Sequence, residues 1–250
     1  MQQLRSRGEV AEASGADPQC MWAAQGLLTG GSAWASEGAV AVGCPALCGR
    51  DRLIVRGPAG PAASLVRAVL DSLGPSYVVI GDPPLMTALL ARITWLEPRG
   101  FFGWMDCIRR PLCRPVHDAR WLSRQEWHAA DQVLSVAYPK SFARPGVPGV
   151  SRWAGITDHR GSLTSIAADA WSAPGLGFVA GLAVVQEARR TGQGRDVTAF
   201  VLSSLMAVNG RVAMMVRYSD EATIATYAEL GLTYRHQQVL GVRSGSVGGS

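Results

Sequence analysis

Residues 181–195 read Gly181-Leu182-Ala183-Val184-Val185-Gln186-Glu187-Ala188-Arg189-Arg190-Thr191-Gly192-Gln193-Gly194-Arg195. An apolar run feeds a short basic turn with two glycines. That turn opens a helix striped by Val197, Phe200, Val201, Leu205 and Val208. Gly192 and Gly194 let the backbone approach a ligand closely and aim successive N–H groups at it. The helix start adds a partial positive charge, and Arg189, Arg190 and Arg195 add full ones. Chemically this is a seat for a pyrophosphate. A Rossmann turn would need Gly or Ala where Val197 stands and an acid about twenty residues on, and neither is present. The Gly-Lys-Ser/Thr of a P-loop is absent as well.

Working outward, Phe178–Val185 is the strand before the turn, and Val212–Val216 is a fully apolar strand after the helix. Ile224, Tyr227 and Ala228 stripe a further helix, and residues 234–242 close as a strand. Upstream, Ser123 and Glu126 form a capping box, and residues 152–157 and 163–170 pair as a hairpin. The first half repeats this mixture: strands at Ala39–Gly43 and Leu53–Val55, a helix from Pro61, a strand at Tyr77–Ile80, a helix over 85–96 and a strand at Phe101–Met105. Residues 1–30 show no sustained periodicity and read as a loosely ordered leader. Cys107–Asp118, with two prolines and three arginines, reads as a linker open to proteolysis around Arg109–Pro115, and 244–250 reads as a flexible tail. The expected class is α/β, a mixed central sheet flanked by helices. The expected division is 31–114 and 115–243.

The pattern Arg189-x-x-Gly192-x-Gly194 after a strand resembles the acetyl-CoA pyrophosphate loop of the GNAT superfamily of N-acyltransferases. In that family the next strand leads to Asn-x-x-Ala-x-x-x-Tyr and a Leu-Gly-Phe-like stop. This chain has Asp220-x-x-Thr223-x-x-x-Tyr227 and Leu230-Gly231-Leu232, with Asp220 replacing Asn and Thr223 replacing Ala. The resemblance covers roughly residues 118–243, and the first half resembles a degenerate second unit of the same kind. It implies acetyl transfer from acetyl-CoA to a primary amine of a small molecule or peptide, by direct attack in a ternary complex. It implies that Arg189, Arg190, Thr191, Gly192, Gln193, Gly194 and Arg195 seat the pyrophosphate, with Asp220 also on the cofactor side. The backbone of Leu182, Ala183 and Val184 would pair with the pantetheine arm. Tyr227 would protonate the leaving thiolate. The alternative is a non-catalytic acyl-CoA-binding module, prompted by the substitutions at Asp220 and Thr223.

No general base is assigned. Phe178 stands where one well-known placement puts an acid, and Asp169 and Glu187 are the nearby carboxylates. Trp153 or Trp171 is a candidate wall for an acceptor cleft. His117, His128, His159 and His236 lack metal-ligand spacing, and Cys44-x-x-x-Cys48 has no second pair, so no metal is expected. A Gly-x-Ser-x-Gly elbow is absent. Twenty-four basic residues against nineteen acidic give +5 over 250 residues, only a weak argument for nucleic acid, which stands as a second rival prompted by the arginine excess. The first residues lack the apolar stretch of a signal peptide. The apolar window Val197–Val216 holds Asn209, Gly210 and Arg211, so a helix, a turn and a strand explain it better than a membrane span. The five cysteines are read as reduced thiols of a cytoplasmic protein, and a homodimer is left open.

Overall fold

The structure, a computed structural model, describes residues 1–109 and 116–243. The tail expected at 244–250 and the stretch 110–115 of the expected linker lie outside the described residues. The chain divides into two compact units, Met1–Gly103 with His236–Ser250, and Trp104–Arg235.

The second unit carries β7 (Arg120–Trp121), α5 (Trp127–Ala137), β8 (Val150–Thr157), β9 (Leu163–Ala170), β10 (Gly177–Val184), α6 (Gln193–Asn209), β11 (Val212–Val216) and α7 (Glu221–Glu229). Strands β7 to β10 pair antiparallel in chain order, and β10 pairs parallel with β11. The crossover α6 makes that parallel step feasible, since parallel strands cannot be joined by a tight turn. Its buried face (Val197, Val201, Leu202, Leu205) packs with Ile156, Val179, Val212 and Met214 in one core. Gly210 ends α6 in a left-handed conformation at φ +72. The window 197–216 is thus a helix end, a turn and a strand, and no helix among the described residues is long and apolar enough to cross a membrane. Ser123 and Glu126 form the expected capping box at the head of a 3-10 segment, Arg124–Glu126, that runs into α5.

The first unit begins with β1 (Gln2–Leu4), α1 (Arg7–Ser14) and α2 (Pro18–Ala23). Residues 1–30 are therefore not a loose leader. Ser6 caps α1 through Glu9 N–H, and Asp17 caps α2 through Gln19 and Cys20 N–H. Val10, Cys20, Trp22 and Ala23 are buried. These helices are short and α1 buries a single side chain, so the segment shows no apolar period. Then come β2 (Ser32–Ser36), β3 (Ala39–Leu47), β4 (Arg50–Arg56), α3 (Ala59–Leu73), β5 (Val78–Gly81), α4 (Pro83–Leu90) and β6 (Leu96–Cys107). Strands β1 to β4 pair antiparallel in order, and β4 pairs parallel with β5. The last strand, β12 (Thr233–Val242), pairs antiparallel with β5 through Gln238↔Gly81 and Leu240↔Val79.

The expected division at 114/115 is corrected. The units part after Gly103, inside β6, and again before His236, inside β12. A proline-rich linker signal marks where backbone hydrogen bonding breaks, whereas this division falls within two continuous strands. Taken in chain order, the two halves β1–β6 and β7–β12 share one element order: a strand, helical segments, three antiparallel strands, a helix, a strand, a helix and a final strand.

Candidate functional site

The site grows from a defect in β10. Its register with β11 runs from Gly177↔Val212 to Val179↔Met214 and stops there. On the β9 side the register shifts between Ala180 and Ala183, a bulge of one extra residue. Gly181 sits in this bulge at φ +67, and a Cβ there would lie 2.5 Å from Trp153 Cη2 and 3.2 Å from Ala143 Cβ. Only glycine fits this backbone against that ring. The bulge bends β10, and the backbone beyond Val179 leaves the β11 ladder. Leu182 and Val184 are half-buried on one side, and Ala183, 3% exposed, points to the other.

The turn after β10 contains a 3-10 segment at Gln186–Ala188, then two left-handed residues, Arg190 (φ +65) and Gly192 (φ +92). Gly192 is the N-cap of α6, and no side chain caps that helix. Its first-turn N–H groups therefore lack intrahelical partners and face outward with the positive end of a 17-residue dipole. Thr191 Oγ1 donates to Ala188 O at 2.8 Å and tightens the turn. Gln193 Oε1 accepts from Thr164 Oγ1 (2.7 Å) and Ser165 Oγ (2.8 Å), fastening the head of α6 to β9. Arg189 Nε donates to Val184 O at 3.2 Å, and Arg195 forms an ion pair with Asp196 at 3.0 Å.

Across from this turn, α7 contributes Thr223, Thr226, Tyr227 and Glu229 to the lining of a groove of about 400 Å³. The groove brings together Leu182, Val184, Arg189, Arg190, Gly192, Gly194, Arg195 and Tyr227 of the residues singled out in the sequence. It does not take its lining from Ala183, Thr191, Gln193 or Asp220. Asp220 is the N-cap of α7, accepting from Thr223 N–H at 3.1 Å. Removing that cap in Asp220→Ala is expected to cost about 1 kcal/mol of stability, read as a lowered urea midpoint at unchanged slope.

Tyr227 is 3% exposed, and burial pushes its hydroxyl pKa above the ordinary tyrosine range, so it stays protonated throughout the neutral range. Thr198 of α6 acts against that rise, and the charge of Asp220 adds to it. Thr198 is itself fully buried, and its hydroxyl forms no hydrogen bond of ordinary geometry among the described residues. Sequence reading missed Thr198, because a threonine within an apolar helix stripe gives no signal.

Asp169 is taken up structurally: Oδ2 accepts from Arg152 Nε at 3.2 Å and Oδ1 from Ser172 Oγ at 2.6 Å. Trp153 is fully buried under the bulge and Trp171 is 6% exposed, so neither walls an open cleft. Another residue missed in the sequence is His117. It meets the head of α6 through Asp196, 79 residues away in the chain.

No family model matches this sequence, and no curated protein does. Solved structures do match. A GCN5-related N-acetyltransferase from Kribbella flavida superposes with a TM-score of 0.59 at 17% identity, covering 95% of this chain and 97% of that one. A GCN5-related N-acetyltransferase-like protein from Streptococcus suis gives 0.56 at 11% identity, covering 95% and 98%. A GCN5-related N-acetyltransferase from Sphaerobacter thermophilus gives 0.55 at 15% identity, covering 81% and 75%. The chain has the GNAT fold, a mixed sheet flanked by helices, as the sequence motifs led one to expect.

Proposed function

We propose that this chain is an acyltransferase of the GNAT type, moving an acetyl group from acetyl-CoA to the primary amine of a small molecule or peptide in a ternary complex. The observation that carries the reading is a convergence on one groove. A bulged strand leaving its ladder, an uncapped helix N-terminus beside three arginines and a buried protonated tyrosine all border it.

Acetyl-CoA fits these residues. Its pyrophosphate matches the free N–H groups of α6, and a Cβ at Gly194 would already crowd Val184 at 3.2 Å. When bound, it supplies an activated thioester. The protein's part is to hold and to orient. Arg189, Arg190 and the first turn of α6 bind the anionic end, the backbone of β10 beyond Val179 pairs with the extended arm, and one of its N–H groups polarises the acyl carbonyl. Tyr227 presents its hydroxyl proton toward the departing sulfur. Asp220 acts on this site through α7, by holding the helix that carries Tyr227. The first half of the chain, β1–β6, with the same element order as β7–β12, is read as a degenerate repeat of the second half. A cytoplasmic location fits the buried free thiols of Cys20, Cys44, Cys48 and Cys107.

The test is calorimetric titration of the folded chain with acetyl-CoA, then thiol release across a panel of amines. Binding with turnover supports the proposal. Binding without turnover turns it into the acyl-CoA-binding module, and no binding ends it.

A further inference from the structure

Thr198 lies in the second turn of α6 and is fully buried. Gly194, four residues earlier and so on the same side of the helix, lines the groove, as does Tyr227 of α7. Val201 and Leu202, one turn further along that side, pack in one core with Tyr227. Helical spacing thus sets residue 198 between the groove wall and the packing around the tyrosine.

A hydroxyl inside a helix commonly returns its proton to the carbonyl one turn back. Ser14, Ser135, Ser204 and Thr226 do so in this protein, donating to Val10, Asp131, Phe200 and Ala222 at 2.6, 2.8, 2.9 and 2.9 Å. Thr198 does not: its Oγ1 forms no hydrogen bond of ordinary geometry among the described residues. An unpaired buried hydroxyl is a cost to the folded state, and valine would fill the same shape without it. The group this hydroxyl acts on is the Tyr227 hydroxyl, where it works as a donor against the rise in pKa that burial imposes.

We propose that Thr198 is a positioning residue for Tyr227, its hydroxyl donating to Tyr227 Oη as the phenolic proton leaves and holding the phenolate that remains. This rests on the acyl-CoA reading of the groove, in which Tyr227 gives its proton to the departing sulfur. In that step the O–H bond of Tyr227 breaks, its proton joins the sulfur freed by C–S cleavage, and Thr198 keeps its own proton on Oγ1. The proton given up by the attacking amine returns to Tyr227 through solvent. A donor to Oη strengthens as charge builds there, so it favours the transition state over the bound substrate.

Thr198→Val removes the hydroxyl at nearly constant shape, and Thr198→Ser keeps it without the methyl. Thr198→Val is expected to lower kcat about tenfold with KM for acetyl-CoA unchanged, and Thr198→Ser to retain most of the wild-type rate. On a Tyr227→Phe background, Thr198→Val should cost nothing further, because Thr198 acts through the phenol oxygen. Two readouts need no turnover. Calorimetry should find acetyl-CoA bound equally by wild type and Thr198→Val. The urea midpoint of Thr198→Val should equal or exceed that of wild type, because an unpaired buried hydroxyl gives way to a methyl. A wild-type kcat in Thr198→Val, an equal loss in Thr198→Ser, a further loss on the Tyr227→Phe background, weakened acetyl-CoA binding or a lowered midpoint in Thr198→Val would each overturn the role of Thr198 and leave the acyl-CoA reading standing. Failure of the wild type to bind acetyl-CoA, or binding without turnover, removes the transferase reading and this proposal with it.

Discussion

Tyr227→Phe is expected to lower kcat for acetyl transfer by about ten- to a thousandfold, at or below the usual span for one general acid. The substitution keeps a ring that is 3% exposed and packed with Val197, Leu205, Leu230 and Leu232, so folding should be little affected. It removes only the hydroxyl. Because burial pushes that hydroxyl up, its proton is retained at neutral pH, and the wild type should show no alkaline loss of rate from Tyr227 between about pH 7 and pH 9. The size of the loss is bounded by the leaving group. A thiol near the ordinary cysteine range departs tolerably well unaided. Acetyl-CoA affinity should change little, because the seat for the pyrophosphate is built from other residues. Steady-state turnover with an accepted amine, or the slow hydrolysis of acetyl-CoA, makes the measurement. Wild-type turnover by the Phe variant would make Tyr227 a packing residue.

Gly192→Val is expected to weaken acetyl-CoA binding on the order of a hundredfold, measured by calorimetry. Gly192 holds φ +92 at the head of α6, where a β-branched residue is strained by about 1–3 kcal/mol whatever space surrounds it. The turn relieves that strain by moving φ to negative values, which swings the first-turn N–H groups away from the seat. Hydrogen bonds to a charged oxygen are worth about 1.5–3 kcal/mol each, so losing one or two reaches the expected factor. Gly210→Ala is the control. It places the same kind of strain, at φ +72, at the other end of the same helix, where a Cβ meets nothing within 4 Å. It should lower stability and leave affinity unchanged. Equal binding by Gly192→Val would move the seat elsewhere.

The legible part of this protein is the part governed by local chemistry. Periodicity in 197–208 and the apolar run 212–216 mark α6 and β11, because one face of each must be buried. The arginines and glycines of 189–195 mark the turn, since only such residues leave a backbone free to meet an anion. The spacing from Asp220 to Tyr227 places both on one helix, and in the structure one caps it while the other faces the groove.

The rest depended on contacts between residues far apart in the chain. Residues 2–23 form a strand and two helices whose stability comes from burying Val10, Cys20 and Trp22, with no repeat to announce it. The ends of the two units fall inside two long strands, β6, which ends where the proline-rich stretch begins, and β12. Composition there could only mark a loop. Asp169, open to a catalytic reading as a bare carboxylate, is committed by Arg152 and Ser172 once the strands pair. His117 looked like one of four scattered histidines until Asp196, buried in the first turn of α6, drew it against Gly192. The sequence alone determined where a basic, glycine-bearing turn opens a helix, because that is a property of residue type and short spacing. Only the tertiary structure decided which charges stand beside it, because a buried carboxylate takes its partners from whatever part of the chain the fold brings within hydrogen-bond reach.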